Sequence, residues 1–299
     1  MSRGSRAAPA AILSEHKMTS QKSNAGSIPQ AKVFVGETHR FDDGSGTFSP
    51  TSSTLIMGET DAVLVDAQHI RSDVHALSDM IAQTGKRLTT IYVTHGHADH
   101  WYGIGQLVRR FPSARAVTTA GVIEYIEKSR ADAAERWREM FADRVVEADV
   151  IPGLIEGPID LEGHKLHPIE VGQADIAPST LLHVPSIGLV VPGDAVYNKI
   201  HMMLGLHEEW GRWLESIDKI EKLAPVMLVA GHKRPEASDL EVARIIDESR
   251  SYIRAFANAA KKVANADDLI QEISARYPDF GNLWTLQFSA RSYFARLRG

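Results

Sequence analysis

Ile91-Tyr92-Val93-Thr94-His95-Gly96-His97-Ala98-Asp99-His100 is a short β-type apolar run that ends in four metal-ligand side chains within six residues. His95, His97, Asp99 and His100 offer imidazole nitrogens and a carboxylate oxygen, the donors that suit zinc and its neighbours. Gly96 and Ala98 keep the turn uncluttered. Just beyond, Ile104, Leu107, Val108 and Phe111 repeat at i, i+3, i+4 and i+7, the spacing of an amphipathic helix, so the cluster is expected on a strand-to-helix loop. The alternative is a polar loop that merely holds three histidines.

Working outward toward the N-terminus, Leu88 to Val93 reads as a buried strand. Before it stands a helix with Val74, Leu77 and Ile81 on one face, capped by Ser72 or Asp73 and ended by Gly85. Thr54 to Met57 and Ala62 to Asp66, joined through Gly58-Glu59-Thr60-Asp61, form an expected β-hairpin. Residues 1–30 are rich in Ser, Ala, Gly and Lys without hydrophobic period, and Ala10 to Leu13 is too short for a signal-peptide core. This stretch is expected to be a mobile leader, with Met18 a candidate start, and the protein to be cytoplasmic.

Toward the C-terminus, Ala116 to Thr118 reads as a strand and Val122 to Phe141 as a long charged helix, with Trp137 and Met140 as core or pocket-wall residues. Ile159 to Leu161, His164 to Val171, Thr180 to Val184 and Leu189 to Val191 make a second set of strands. Gly172-Gln173 and Gly193-Asp194 end two of them. After a helix around Trp210 to Leu223, the strand Val226 to Ala230 ends in Gly231-His232. Polar groups at strand ends, each beside a glycine, are expected to converge. Residues 240–297 read as mostly helical.

The whole chain sets bounds on function. Its 299 residues suffice for a substantial core, and a net charge of −5 gives no basic footprint for nucleic acid. No apolar run approaches the roughly 20 residues that span a bilayer. With no cysteine, a metal must be held by His, Asp, Glu or amide groups. A small-molecule substrate is the expected partner, with no nucleic acid and no membrane; homo-oligomerisation stays open.

Thr94-His95-Gly96-His97-Ala98-Asp99-His100, followed by Gly172-Gln173, Gly193-Asp194 and Gly231-His232, and preceded by the strand end Leu64-Val65-Asp66, resembles the metallo-β-lactamase superfamily. The resemblance implies an α/β fold, a four-layer αββα sandwich with a dinuclear site at one edge. It divides the chain into the leader 1–30, a catalytic domain 31–237 and a C-terminal helical extension 238–299 packed on the same domain. It places His95 and His97 on a first metal, Asp99, His100 and His232 on a second, Asp194 between them, and Asp66 behind a ligating histidine. Where the family has a third histidine for the first metal, this chain has Gln173. As a ligand it would offer only a neutral carbonyl oxygen, so the first site is expected to be weakened or altered, holding one or two zinc ions, with manganese or iron as alternatives. His164, His167 and His183 are more simply structural.

The implied reaction is hydrolysis by a metal-bound hydroxide. Asp99 is expected to orient the nucleophile or take its proton, and Tyr197 to donate to the developing oxyanion. Trp101, His201 and Met202 are expected pocket residues, with Phe41 and Phe48 on a covering loop. An apolar or aromatic lactone, ester or amide is the expected substrate. The alternatives are a mononuclear iron oxygenase acting on a sulfur compound and a degenerate metal-binding module.

Overall fold

The computed structural model describes residues 27–298, so the expected leader and Met18 lie almost wholly outside the described residues. Six strands form the first sheet, in the spatial order Gln30–Val35, Ser52–Met57, Asp61–Val65, Arg87–Tyr92, Arg115–Thr118, Gly153–Leu154. Five form the second, in the order Met227–Leu228, Leu189–Val191, Ser179–Val184, His164–Gly172, Ile159–Leu161.

The alternation of side chains along a strand explains why the two sheets stack. Ile56, Val63, Val65 and Tyr92 on the first sheet meet Leu166, Leu182, Val184 and Val191 on the second in one buried cluster. Their sequence neighbours Leu55, Leu64 and Ile91 point the other way, into a cluster closed by Leu77 and Ile81, Ile104 and Leu107, and Val122 and Phe141. On the far side, Leu181 and Val190 pack under Trp213, Ile217, Tyr252, Phe256 and Leu286. Strands apolar on both faces thus require helices outside both sheets, and the fold is the four-layer αββα sandwich.

The hairpin of Ser52–Met57 and Asp61–Val65 closes through Gly58 N donating to Asp61 O at 2.8 Å. From Asp61–Val65 the chain crosses through the helix Arg71–Gln83 into the parallel strand Arg87–Tyr92. One local expectation fails here. The helix starts at Arg71 behind Ile70, with no side-chain cap, because Asp73 is buried and takes a 2.7 Å hydrogen bond from His39 instead. Three helices, Val242–Ala260, Ala266–Arg276 and Leu283–Arg296, follow the last sheet strand, and all three contribute residues to the second sheet's outer cluster. Among the described residues no helix is long and apolar enough to cross a membrane.

Candidate metal centre

Every chemistry-bearing turn leaves the same edge of the sandwich. His95 and His97 follow the strand Arg87–Tyr92, and Asp99 and His100 sit on the short helix Ala98–Trp101 directly after. Asp175 follows His164–Gly172, Asp194 lies in the turn Gly193–Ala195 after Leu189–Val191, and His232 comes four residues after Met227–Leu228. Two glycines make this convergence possible. Gly193 has φ of 53°, and a Cβ on Gly231 would stand 2.2 Å from Asp194 Oδ1.

The ligand-type side chains form two groups. His95, His97, Asp175 and Asp194 compose one, Asp99, His100 and His232 the other, each with donor atoms within 4.8 Å of one another. Asp194 reaches into both: its Oδ1 is 3.3 Å from His100 Nε2 and its Oδ2 3.2 Å from His232 Nε2. Asp99 Oδ2 lies 3.2 Å from His100 Nε2 and 3.3 Å from His232 Nε2.

Backbone and side-chain partners fix which imidazole nitrogen faces inward. His100 Nδ1 donates to Asp66 Oδ2 at 2.8 Å, and His232 Nδ1 to the Pro50 carbonyl at 3.1 Å. His95 Nδ1 is 3.0 Å from Thr94 Oγ1, whose own proton goes to Asp66 at 2.9 Å. Each of these three rings therefore turns its Nε2 toward the centre. His97 is reversed, with Nδ1 2.6 Å from Asp175 Oδ2.

Four of the converging atoms, His95 Nε2, His100 Nε2, Asp175 Oδ2 and Asp194 Oδ1, are buried without hydrogen-bond geometry to any partner. Buried polar atoms are otherwise satisfied almost everywhere in proteins. Imidazole and carboxylate donor atoms crowded this closely, several of them without settled hydrogen-bond geometry, fit the donor set of a metal pair.

The charges agree. Burial would raise the Asp99 carboxyl, but the His100 imidazole, together with His232, outweighs it and holds Asp99 well below the usual carboxylate range. Asp194 is depressed in the same way by His232 and His100 against the pull of burial. Conversely, burial opposes charge on His232, yet Asp194 and Asp99 push its pKa up to about 10. Burial and the neighbouring His100 hold His95 down at about 4, as a neutral lone-pair donor. Three buried carboxylates demand positive charge, and divalent cations compete with imidazolium protons to supply it.

Gln173 departs from expectation. Its amide nitrogen lies 2.7 Å from His207 Nε2 and donates to the Ala174 carbonyl at 3.0 Å. Asp175, two residues on, takes the third place beside His95 and His97. The signal was in the sequence, since Gly172-Gln173-Ala174-Asp175 puts a charged ligand type in the same turn. The turn's backbone path, which decides the side-chain aim, was not. His167 and His183 face each other across neighbouring strands, away from the centre.

Tyr197 donates its hydroxyl to Asp194 Oδ2 at 2.7 Å, so it braces the shared carboxylate where an oxyanion partner was expected. Beside the centre lies a cavity of about 250 Å³ walled by Phe48, Trp137, Met203, Leu206, Trp284 and Phe288. Trp101, His201 and Met202 do not line it. Trp101 is buried beneath the ligand turn with Nε1 donating to the Gly96 carbonyl, and His201 is held by the Tyr252 hydroxyl at 2.9 Å. Met202 is buried under the outer helices, and its neighbour Met203 faces the cavity instead. Trp284 and Phe288 were missed because the C-terminal helix that carries them is far away in sequence.

A sequence profile of the Metallo-beta-lactamase superfamily matches residues 46–232. A search of curated proteins returns no significant match. Among solved structures, a metallo-beta-lactamase family protein from Thermus thermophilus shares 18% identity at a TM-score of 0.63, covering 90% of this chain and 93% of that one. A beta-lactamase domain protein from Burkholderia ambifaria gives 16% identity and 0.62, over 90% and 87%. A double mutant of the sec-alkyl sulfatase PisA1 gives 16% and 0.59, over 84% of this chain and 48% of that one.

Proposed function

The chain belongs to the metallo-beta-lactamase superfamily, whose members are mostly metal-dependent hydrolases, and on that basis we propose that it hydrolyses an ester-type bond in a small, largely apolar or aromatic substrate. The observation that carries this reading is the pair of donor groups sharing Asp194, with four buried atoms left without hydrogen bonds. His95, His97 and Asp175 would hold one metal, Asp99, His100 and His232 the other, and Asp194 would serve both. Bound metals acidify water and polarise the carbonyl, sulfuryl or phosphoryl group under attack.

The chain's own side chains supply the rest. Asp99 is aligned by Thr51 Oγ1, which donates to its Oδ2 at 3.0 Å, and so presents a fixed carboxylate able to orient water or take its proton. Asp66 locks the His100 ring and, through the Thr94 hydroxyl, the His95 ring; such outer partners fix tautomer and aim. Tyr197 keeps Asp194 in place. The aromatic wall of the cavity excludes water around an apolar body and orients the scissile bond toward the donors.

Solved structures with this fold include lactamases and a sec-alkyl sulfatase, so lactone, carboxylic ester, amide and sulfate ester substrates all belong in the test. Protein purified without added metal, assayed for metal content and turned over on such a panel, is expected to hold zinc, manganese or iron and to release alcohol or amine. A loaded protein inert on every class would sink the proposal. The set of two histidines and one carboxylate in each half also favours a second reading, oxygen chemistry at iron. Bound iron with oxygen uptake on a sulfur compound, and no hydrolysis, would select it.

A further inference from the structure

Resting on that hydrolase reading, we infer that Arg136 makes the site selective for substrates that join an apolar body to an anionic group. The 250 Å³ cavity has one lysine or arginine in its lining, Arg136, on the turn of the helix Ala120–Phe141 next to Trp137. The same arginine, with His97, Trp137 and Leu206, also lines an adjoining outer cleft of about 490 Å³. Arg136 therefore stands where the apolar cavity opens into the wider cleft.

Its guanidinium has no hydrogen-bond or ion-pair partner among the described residues. Asp132 and Glu209 line the outer cleft too, yet neither pairs with it; Glu209 is taken by Arg212 at 3.3 Å. An unpaired planar fork at the rim of an aromatic cavity fits a carboxylate, sulfonate or phosphate bidentately. Asp99, Asp175 and Asp194 line the metal-binding end of the cavity, where the bond under attack would lie, so the position beside the arginine is left for a second, unreactive anionic group. The cavity then orders the substrate with scissile group inward, apolar body against Trp137 and Trp284, and charge outward.

The test uses two acetate esters matched in shape, 4-acetoxybenzenesulfonate and its neutral methyl sulfone analogue, because a sulfonate is a poor metal ligand. Wild type is expected to prefer the sulfonate through KM. Arg136→Gln should cut the sulfonate-to-sulfone ratio of kcat/KM by up to about fivefold, the upper worth of an exposed pair, with Arg136→Lys restoring part of it and added salt shrinking it in wild type. An unchanged ratio would overturn the inference. Equilibrium quenching of tryptophan fluorescence by the two product phenols supplies a readout independent of turnover. Tighter sulfonate binding that vanishes in Arg136→Gln upholds the arginine's role even if neither ester is cleaved, a result that would count against the hydrolase reading alone. Equal binding of both phenols by wild type would overturn the inference whatever the turnover.

Discussion

Replacing Asp175 with Asn removes one charge from the first donor group while keeping the side chain's size, so the cavity and packing terms that complicate truncations are absent. Asp175 is 1% exposed, with Oδ2 2.6 Å from His97 Nδ1 and Oδ1 3.9 Å from His95 Nε2. Removing an outer partner of a metal ligand typically weakens binding about 10–100-fold. Losing a charged ligand itself should reach at least the top of that range, about 100-fold in Kd or about 2.7 kcal/mol for the first metal. The second group keeps Asp99, His100, His232 and the shared Asp194, so its affinity should change far less. Competition with a chromophoric chelator, followed by counting metal equivalents that survive gel filtration, measures both constants. Wild type is expected to retain two equivalents and Asp175→Asn one. The paired control is Gln173→Ala, whose amide nitrogen contacts His207 and the Ala174 carbonyl, and which should leave both constants within about twofold at a stability cost of about 1 kcal/mol. The opposite pattern, metal lost from Gln173→Ala and kept by Asp175→Asn, would refute the assignment outright.

Asp66→Asn should weaken the second metal about 10-fold or more by releasing the His100 ring, seen as faster metal loss to chelator; unchanged retention would deny Asp66 a part in aiming the ring. Tyr197→Phe deletes a hydrogen bond to a buried carboxylate, and a drop of about tenfold in kcat at full metal loading is expected, the low end of a charge-assisted bond; an undiminished kcat would show that Asp194 needs no brace. His69 is caged by Phe48, Trp137 and Phe141, and burial holds its pKa down at about 3 against an ordinary 6.5. Between those values the unfolded chain binds a proton that the folded chain refuses. Its contribution to stability therefore falls as pH drops below 6.5, by about 2 kcal/mol at pH 5 relative to pH 8. Metal-free His69→Leu should lose less stability than metal-free wild type over that interval in denaturant titrations, and equal losses would disprove the cause.

Much of the fold was legible because its determinants are local. The hairpin around Gly58, the strand Arg87–Tyr92 and the helix Ile104–Arg110 follow from period and turn chemistry within a dozen residues. The N-terminus of the helix Arg71–Gln83 was misread because Asp73, a capping type, is claimed by His39, 34 residues away. Packing overrode the local cue.

Within the site, the sequence by itself determined the cluster from His95 to His100, since residues that close along the chain cannot be far apart in space. It also marked Asp194 and His232 as polar residues at strand ends beside a glycine, and the resemblance to the metallo-β-lactamase superfamily gave them their place among the ligands. Only the tertiary structure decided between Gln173 and Asp175. Both lie in one turn after the strand His164–Gly172, and which side chain faces inward depends on a backbone path set by contacts with His207, remote in sequence. The same holds for the cavity. Trp284 and Phe288 reach it only because the C-terminal helix folds back over the edge of the sandwich, while Trp101 and Met202, adjacent to functional turns, are drawn into the core, where burying their apolar surface is worth more than proximity along the chain.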